Sequence, residues 1–231
     1  MLWQDIPVWK TFGGKGIMIR IVLIDDHTLV RTGLRMIMDK QADMEVVAEA
    51  DNGEAGLALI RKLDPDVALV DVHMPGVSGI EVTERVRRAK LRTHVAILTM
   101  ADEAPFPRRL LEAGACGYLT KGCPAEELVK AVRCIAAGKR YLSSDVAQLL
   151  ALESTSGASP SPFEELSARE LEVAMMLARG RKMPDIADRL KLSAKTIATY
   201  KYRLFEKLNV NNVVTLAHLA AMHGLVEAGA R

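Results

Sequence analysis

Between residues 19 and 138, short apolar, β-branched runs alternate with stretches whose apolar residues recur every third or fourth position. The runs are IRIVLI (19–24), MEVVAE (44–49), DVALVDV (66–72), HVAILTM (94–100) and GYLT (117–120). Each reads as a strand, because a short continuous apolar run suits a strand buried on both faces. The amphipathic stretches predict helices from His27 to Asp39, near 53–62, 79–90 and 105–113, and from Pro124 to Ala137. Five strands alternating with five helices predict an α/β domain, a doubly wound five-stranded parallel sheet covered on both faces. Its predicted extent is 18–140.

The beat then stops. In 138–152, GKRYLSSDVAQLLAL, Ser143 or Ser144 can cap one short helix, and 154–162, STSGASPSP, is all small, polar or proline. Residues 141–162 therefore read as a linker carrying a short helix. From 163 to 231 no strand pattern remains. Helical patterns open instead at Ser167, Pro184, Ser193 and Asn211 or Asn212, predicting an all-α domain of four helices. Residues 1–17 fit neither domain. Met18 is expected to be the native start, because Gly13, Gly14, Lys15 and Gly16 imply purine-rich codons like those of a ribosome-binding site; the other explanation is a disordered or docking extension.

Charge sharpens the division. The net charge of +2 splits into 11 Lys/Arg against 8 Asp/Glu from 160 onward and 20 against 21 before it. Within 179–207 the count is 9 basic to 3 acidic, a concentration suited to a polyanion. No apolar run approaches the ~18 residues of a membrane span, and no export signal opens the chain, so the expected location is the cytoplasm. Cys116, Cys123 and Cys134 have neither disulfide nor zinc spacing and read as incidental thiols.

Asp71 ends the third predicted strand, and Asp25 and Asp26 follow the first. In a sheet ordered 2-1-3-4-5 the helices after strands one and three leave on opposite faces, so a crevice opens where these carboxylates converge. Three such carboxylates raise one another's pKa unless a cation offsets them, and hard oxygen ligands suit Mg²⁺. Thr99 closes the fourth strand and Lys121 follows the fifth. A carboxylate nucleophile, a metal, an ammonium and a hydroxyl together make a phosphoryl site: Asp71 attacks, Mg²⁺ and Lys121 neutralise oxygens, and Thr99 donates a hydrogen bond. Singly, each has a plain structural reading as turn residue, helix cap, β-former or solvated charge.

In the helical domain, a 100° projection of residues 194–208 puts Ile197, Tyr200, Leu204 and Leu208 on one face. Lys195, Thr199, Tyr202 and Glu206 stand opposite. The first set reads as core. The second can enter a DNA major groove, flanked by Thr196, Arg203 and Lys207 as phosphate contacts.

The pattern DD, D-x-x-M-P-G, T and K at successive strand ends resembles the receiver domain of bacterial response regulators, a flavodoxin-like (CheY-like) fold. By that resemblance the phosphoryl donor is a sensor histidine kinase, the His73 backbone carbonyl joins the metal shell, and Tyr118 is an aromatic switch that turns inward when Thr99 moves. The His73 side chain is expected to tune access of water to the acyl phosphate. L-S-x-R-E-x-E-V, D-I-A-x-x-L-x-L-S-x-K-T-I and K-L-N-V resemble the LuxR-type helix-turn-helix of the NarL/FixJ family, with Lys191 where glycine is frequent at the turn and Ala198 where a basic residue is frequent. The resemblance implies that the last helix pairs subunits through Val213, Leu216 and Leu219, though an apolar face there serves equally as intradomain core.

PFPRRLLEAGACGYLTKG and KTIATYKYRLFEKLNV are similar to the GacA/UvrY branch of response regulators, which activates genes for small regulatory RNAs. The implied protein is a DNA-binding transcription regulator rather than an enzyme. It would be phosphorylated on Asp71, act as a homodimer with RNA polymerase, and free its recognition helix from the receiver when activated. Two rivals are a phosphohydrolase working through an aspartyl-phosphate and a phosphorylation-independent DNA binder with a vestigial receiver.

Overall fold

The computed structural model describes residues 18–99, 107–144, 146–148, 161–223 and 225–226. The expectations for residues 1–17 and for most of the linker lie outside them.

The first half alternates strand and helix: β1 (Ile19–Ile24), α1 (Thr28–Asp39), β2 (Met44–Ala50), α2 (Gly53–Leu63), β3 (Val67–Asp71), α3 (Gly79–Arg88), β4 (His94–Thr99), α4 (Pro107–Ala113), β5 (Gly117–Thr120) and α5 (Ala125–Ala136). The strands pair in parallel in the order β2-β1-β3-β4-β5-β6. The sixth, β6 (Tyr141–Leu142), is a finding beyond the five predicted: the start of the linker adds to the sheet edge, pairing Gly117 with Tyr141 and Tyr118 with Leu142.

Alternate strand residues build two cores. Val22, Ile24, Ala68, Val70, Ile97 and Tyr118 face one side of the sheet with Leu57 and Ile60 of α2 and Val82 and Val86 of α3. Ile21, Leu23, Val67, Leu69, Leu98 and Leu119 face the other with Leu34 and Met38 of α1 and Val132 and Ile135 of α5. Each fully buried aliphatic side chain contributes about 1.5–3 kcal/mol relative to exposure, so a one-residue slip of any strand would forfeit several at once. α1 and α3 thus lie on opposite faces of the adjacent strands β1 and β3, the arrangement that marks a topological switch point.

The second half begins with a 3₁₀ turn (Pro162–Glu165) and continues as α6 (Ala168–Ala178), α7 (Met183–Leu190), α8 (Ala194–Lys207) and α9 (Val213–Met222). Ser167, Ser193 and Asn212 each cap a helix through the side chain. Ser167 and Glu170 form a reciprocal capping box. Phe163, Leu177, Ile186, Ile197, Leu204 and Leu216 share one separate core. α7 starts one residue before Pro184, with the proline near the first helical position, where its missing N–H is harmless.

Candidate functional site: an acidic pocket and a helix-turn-helix

The ends of β1, β3, β4 and β5 meet at one edge of the sheet. β3 carries Asp71 to its last position, opposite Leu98, and the Lys121 amide donates to the Thr99 carbonyl at 2.8 Å. Lys121 Nζ bridges two carboxylates, 2.8 Å from Asp25 Oδ2 and 3.0 Å from Asp71 Oδ2. Asp25, Asp71 and Thr99 are buried. Ligand atoms of Asp25, Asp26, His27 and Asp71 all lie within 4.8 Å of one another. The sequence offers His27 only as the start of a helix; its exposed ring stands 2.9 Å from Asp26 Oδ1 and 3.2 Å from Asp25 Oδ1. Its place immediately after the paired aspartates was the available signal.

Burial pushes the Asp71 carboxyl up to about 6, with the Lys121 ammonium pulling it down and Asp25 pushing it further up. Burial alone would drain the proton from Lys121, but Asp71 and Asp25 outweigh it and hold its pKa above the usual range. Among the described residues Asp25 Oδ2 and Asp26 Oδ1 are buried and receive no hydrogen bond, although Lys121 and His27 stand within ion-pair distance. Acceptor atoms so placed, all hard oxygen, fit a divalent cation such as Mg²⁺.

Tyr118 is wholly buried in the core of the α/β domain, and its hydroxyl finds no hydrogen-bond partner among the described residues. The aromatic side chain expected to swing inward is already inward here. The His73 side chain has a partner that the sequence did not indicate. Its Nδ1 lies 2.7 Å from Glu172 Oε1 of α6, so the ring reaches across to the helical domain.

In that domain Lys191 occupies the turn before α8 with φ 49° and ψ 45°, the left-handed conformation that glycine takes most readily. Ile197 and Leu204 of α8 are buried, while Lys195, Thr199, Tyr202 and Arg203 are exposed on its outer side. Tyr202 is 71% exposed, so this face is open among the described residues. Two flanking residues are engaged internally. Thr196 Oγ1 pairs with the Ser193 hydroxyl at 2.8 Å, and Lys207 Nζ donates to Glu170 Oε2 at 2.6 Å and to the Glu165 carbonyl at 3.3 Å.

On α9, Leu216 is wholly buried within the domain, and Val213 and Leu219 pack partly against the same core. Of the three residues expected on a pairing seam, Leu216 is therefore core. The open apolar side chains of α9 are Val214 and Met222. Sequence periodicity missed them because α9 is apolar nearly all round.

Comparison with known proteins agrees with this geometry. Residues 21–133 match the response regulator receiver domain, and residues 164–220 match the bacterial regulatory proteins of the luxR family. The chain is 47% identical over 212 residues to response regulator GacA of Pseudomonas aeruginosa, covering 91% of this chain and 99% of the relative. This chain belongs to the LuxR-type response regulators. Response regulator UvrY of Escherichia coli is 42% identical to it over 91% of this chain and 97% of that one. Among solved structures, RcsB from Salmonella enterica serovar Typhimurium, bound to promoter P1flhDC in the presence of phosphomimetic BeF3-, aligns at 27% identity with a TM-score of 0.60, covering 88% and 98%. The heme-sensing system's response regulator ChrA aligns at 35% identity with a TM-score of 0.52, covering 90% and 99%. This response regulator is thus a GacA/UvrY-like DNA-binding regulator of a two-component system. Its matched families are those of transcription regulators rather than of a phosphohydrolase. Among the described residues no helix is long and apolar enough to cross a membrane.

Proposed function

We propose that Asp71 accepts a phosphoryl group from a phosphohistidine of a sensor histidine kinase, and that this event controls how α8 engages promoter DNA. The observation that carries the reading is the doubly bridged lysine. Lys121 reaches Asp25 and Asp71 at once, so its ammonium offsets part of the burial cost of the Asp71 carboxylate and stands as a positive charge beside it. An Asp71 carboxylate oxygen forms the new bond to phosphorus while the phosphorus–nitrogen bond of the donor breaks and the imidazole leaves with the electron pair. Lys121 and the Thr99 hydroxyl bind oxygens of the transferred group. Mg²⁺ held by Asp25, Asp26, Asp71 and the His73 carbonyl supplies further positive charge to those oxygens when bound. Leu29 and Met36, exposed on one side of α1, offer the donor an apolar surface next to the pocket.

The output is α8 in a major groove, with Lys195, Thr199 and Tyr202 toward base edges and Arg203 toward phosphate. Symmetric half-sites follow if two copies pair through α9, for which Val214 and Met222 are the open apolar side chains. The test is acyl-phosphate labelling of the full chain and of Asp71→Asn, followed by promoter binding at matched salt. The expected outcome is a labile adduct in the parent only, with several-fold tighter promoter binding. Equal labelling of both chains would exclude Asp71 as the acceptor.

A further inference from the structure

Three side chains link the phosphoacceptor loop to the turn of the helix-turn-helix. His73, two residues beyond Asp71, places Nδ1 2.7 Å from Glu172 Oε1. The carboxylate can only accept, so the ring nitrogen carries the proton. The other oxygen of Glu172 accepts from Nη1 of Arg169, and Nη2 of Arg169 donates at 3.3 Å to the carbonyl of Leu190. Leu190 ends α7, immediately before Lys191, whose left-handed backbone sets the direction in which α8 leaves. Arg169 and Glu172 are buried, and the His73 side chain is only 11% exposed, so water competes little for these bonds. A second clamp lies beside the first: Arg109 of α4 donates through both Nη atoms to the carbonyls of Phe163 and Leu166 at the entry to the helical domain.

We propose that His73, Glu172 and Arg169 form a polar relay that couples the state of the Asp71 pocket to the geometry of the helix-turn-helix, rather than a latch that hides the reading face. The inference rests on the phosphoacceptor reading of Asp71. Control by masking is poorly suited to this arrangement, because the outer side of α8 is already open. Control through the turn suits it: the loop that carries His73 must adjust to a larger, more negative group on Asp71. Withdrawal of its ring leaves Glu172 to Arg169 alone and alters the hold on the Leu190 carbonyl. His73 and Glu172 are positioning residues in this scheme.

Coupling is reciprocal in binding free energy, so a relay broken in the helical domain must be felt in the receiver pocket. The experiment uses the full chain, unmodified and as Glu172→Gln and Glu172→Ala, titrated with beryllofluoride and Mg²⁺ and followed by fluorine NMR. Amide exchange at Lys191 and Leu192 is read in the same samples. Glu172→Gln can still accept from Arg169 but lacks the charge that draws a proton to His73 Nδ1, so it weakens the charge-assisted bond between the domains while keeping the domain packed even where Glu172→Ala loosens it.

Beryllofluoride binding three-fold or more tighter in the Gln variant than in the parent is expected, because the docked arrangement no longer opposes pocket occupancy. Beryllofluoride is also expected to change exchange at Lys191 and Leu192 in the parent and not in the variant. A purely structural role for Glu172 within α6 would move neither pocket affinity nor this response. Equal affinity within two-fold in parent and variants, with the same exchange response, overturns the relay alone. A parent chain that takes up no beryllofluoride overturns the phosphoacceptor reading and the relay with it.

Discussion

Asp71 works against the stability of the fold that positions it. Its carboxyl titrates at about 6 in the folded chain against 3.8 for an ordinary aspartate. Between those values the folded state holds more protons than the unfolded one, so this contribution to stability falls as pH rises and is fully adverse above about 6. At roughly 1.4 kcal/mol for each tenfold change the ceiling is about 3 kcal/mol. Asp71→Asn is therefore expected to melt higher than the parent at pH 7 to 8 with EDTA present, with the advantage vanishing as the pH is lowered toward 4; thermal melts at several pH values check it. Tyr118 poses a related case. Its hydroxyl is buried without a partner among the described residues, and such a group costs about 1–3 kcal/mol. Tyr118→Phe should raise the denaturant midpoint while leaving the slope unchanged, whereas a midpoint that falls would mean the hydroxyl is satisfied in solution.

At the scale of elements, the junction of β3 with α3 is where packing and chemistry meet. A Cβ added to Gly79 would fall 2.1 Å from the Asp71 carbonyl oxygen, so alanine there must push the backbone of Asp71 itself. Gly33, inside α1, has nothing within 4 Å of the corresponding position. Gly79→Ala should lose about 1–3 kcal/mol by overcrowding and take up acyl phosphate more slowly even while folded. Gly33→Ala should gain about 0.8–1 kcal/mol from helix propensity with uptake unchanged; equilibrium unfolding and labelling rates separate the two. Most elements were legible because strands buried on both faces leave continuous apolar runs and amphipathic helices leave a period of 3.6. β6 was not, since two residues, Tyr141 and Leu142, are too few to carry a period. Leu216 was left between pairing seam and core because in an almost wholly apolar helix the pattern does not choose a face; it is core. The pocket was legible because each of its parts stands at a strand end in a domain whose topology brings strand ends together.

At the scale of the molecule, contacts between the halves left no trace in the pattern. His73 and Glu172 are 99 positions apart and neither repeats with anything. The charge division was visible, with the excess of positive charge in 179–207, but not which cations are available to DNA. Arg203 is exposed on the outer side of α8, whereas the Lys207 ammonium is committed to Glu170 and to the Glu165 carbonyl, holding α8 against the capped start of α6. The lysine also lowers the pKa of Glu170, although burial alone would raise it. Each phosphate neutralised by a side chain contributes about −0.9 to the slope of log K against log salt on duplex DNA. Arg203→Ala is accordingly expected to reduce the magnitude of that slope by about one, and Lys207→Ala to leave it nearly unchanged while lowering the melting temperature of the helical domain. If instead Lys207→Ala flattened the slope as much as Arg203→Ala and left the domain's melting unaltered, the lysine would be a phosphate contact and its bond to Glu170 incidental.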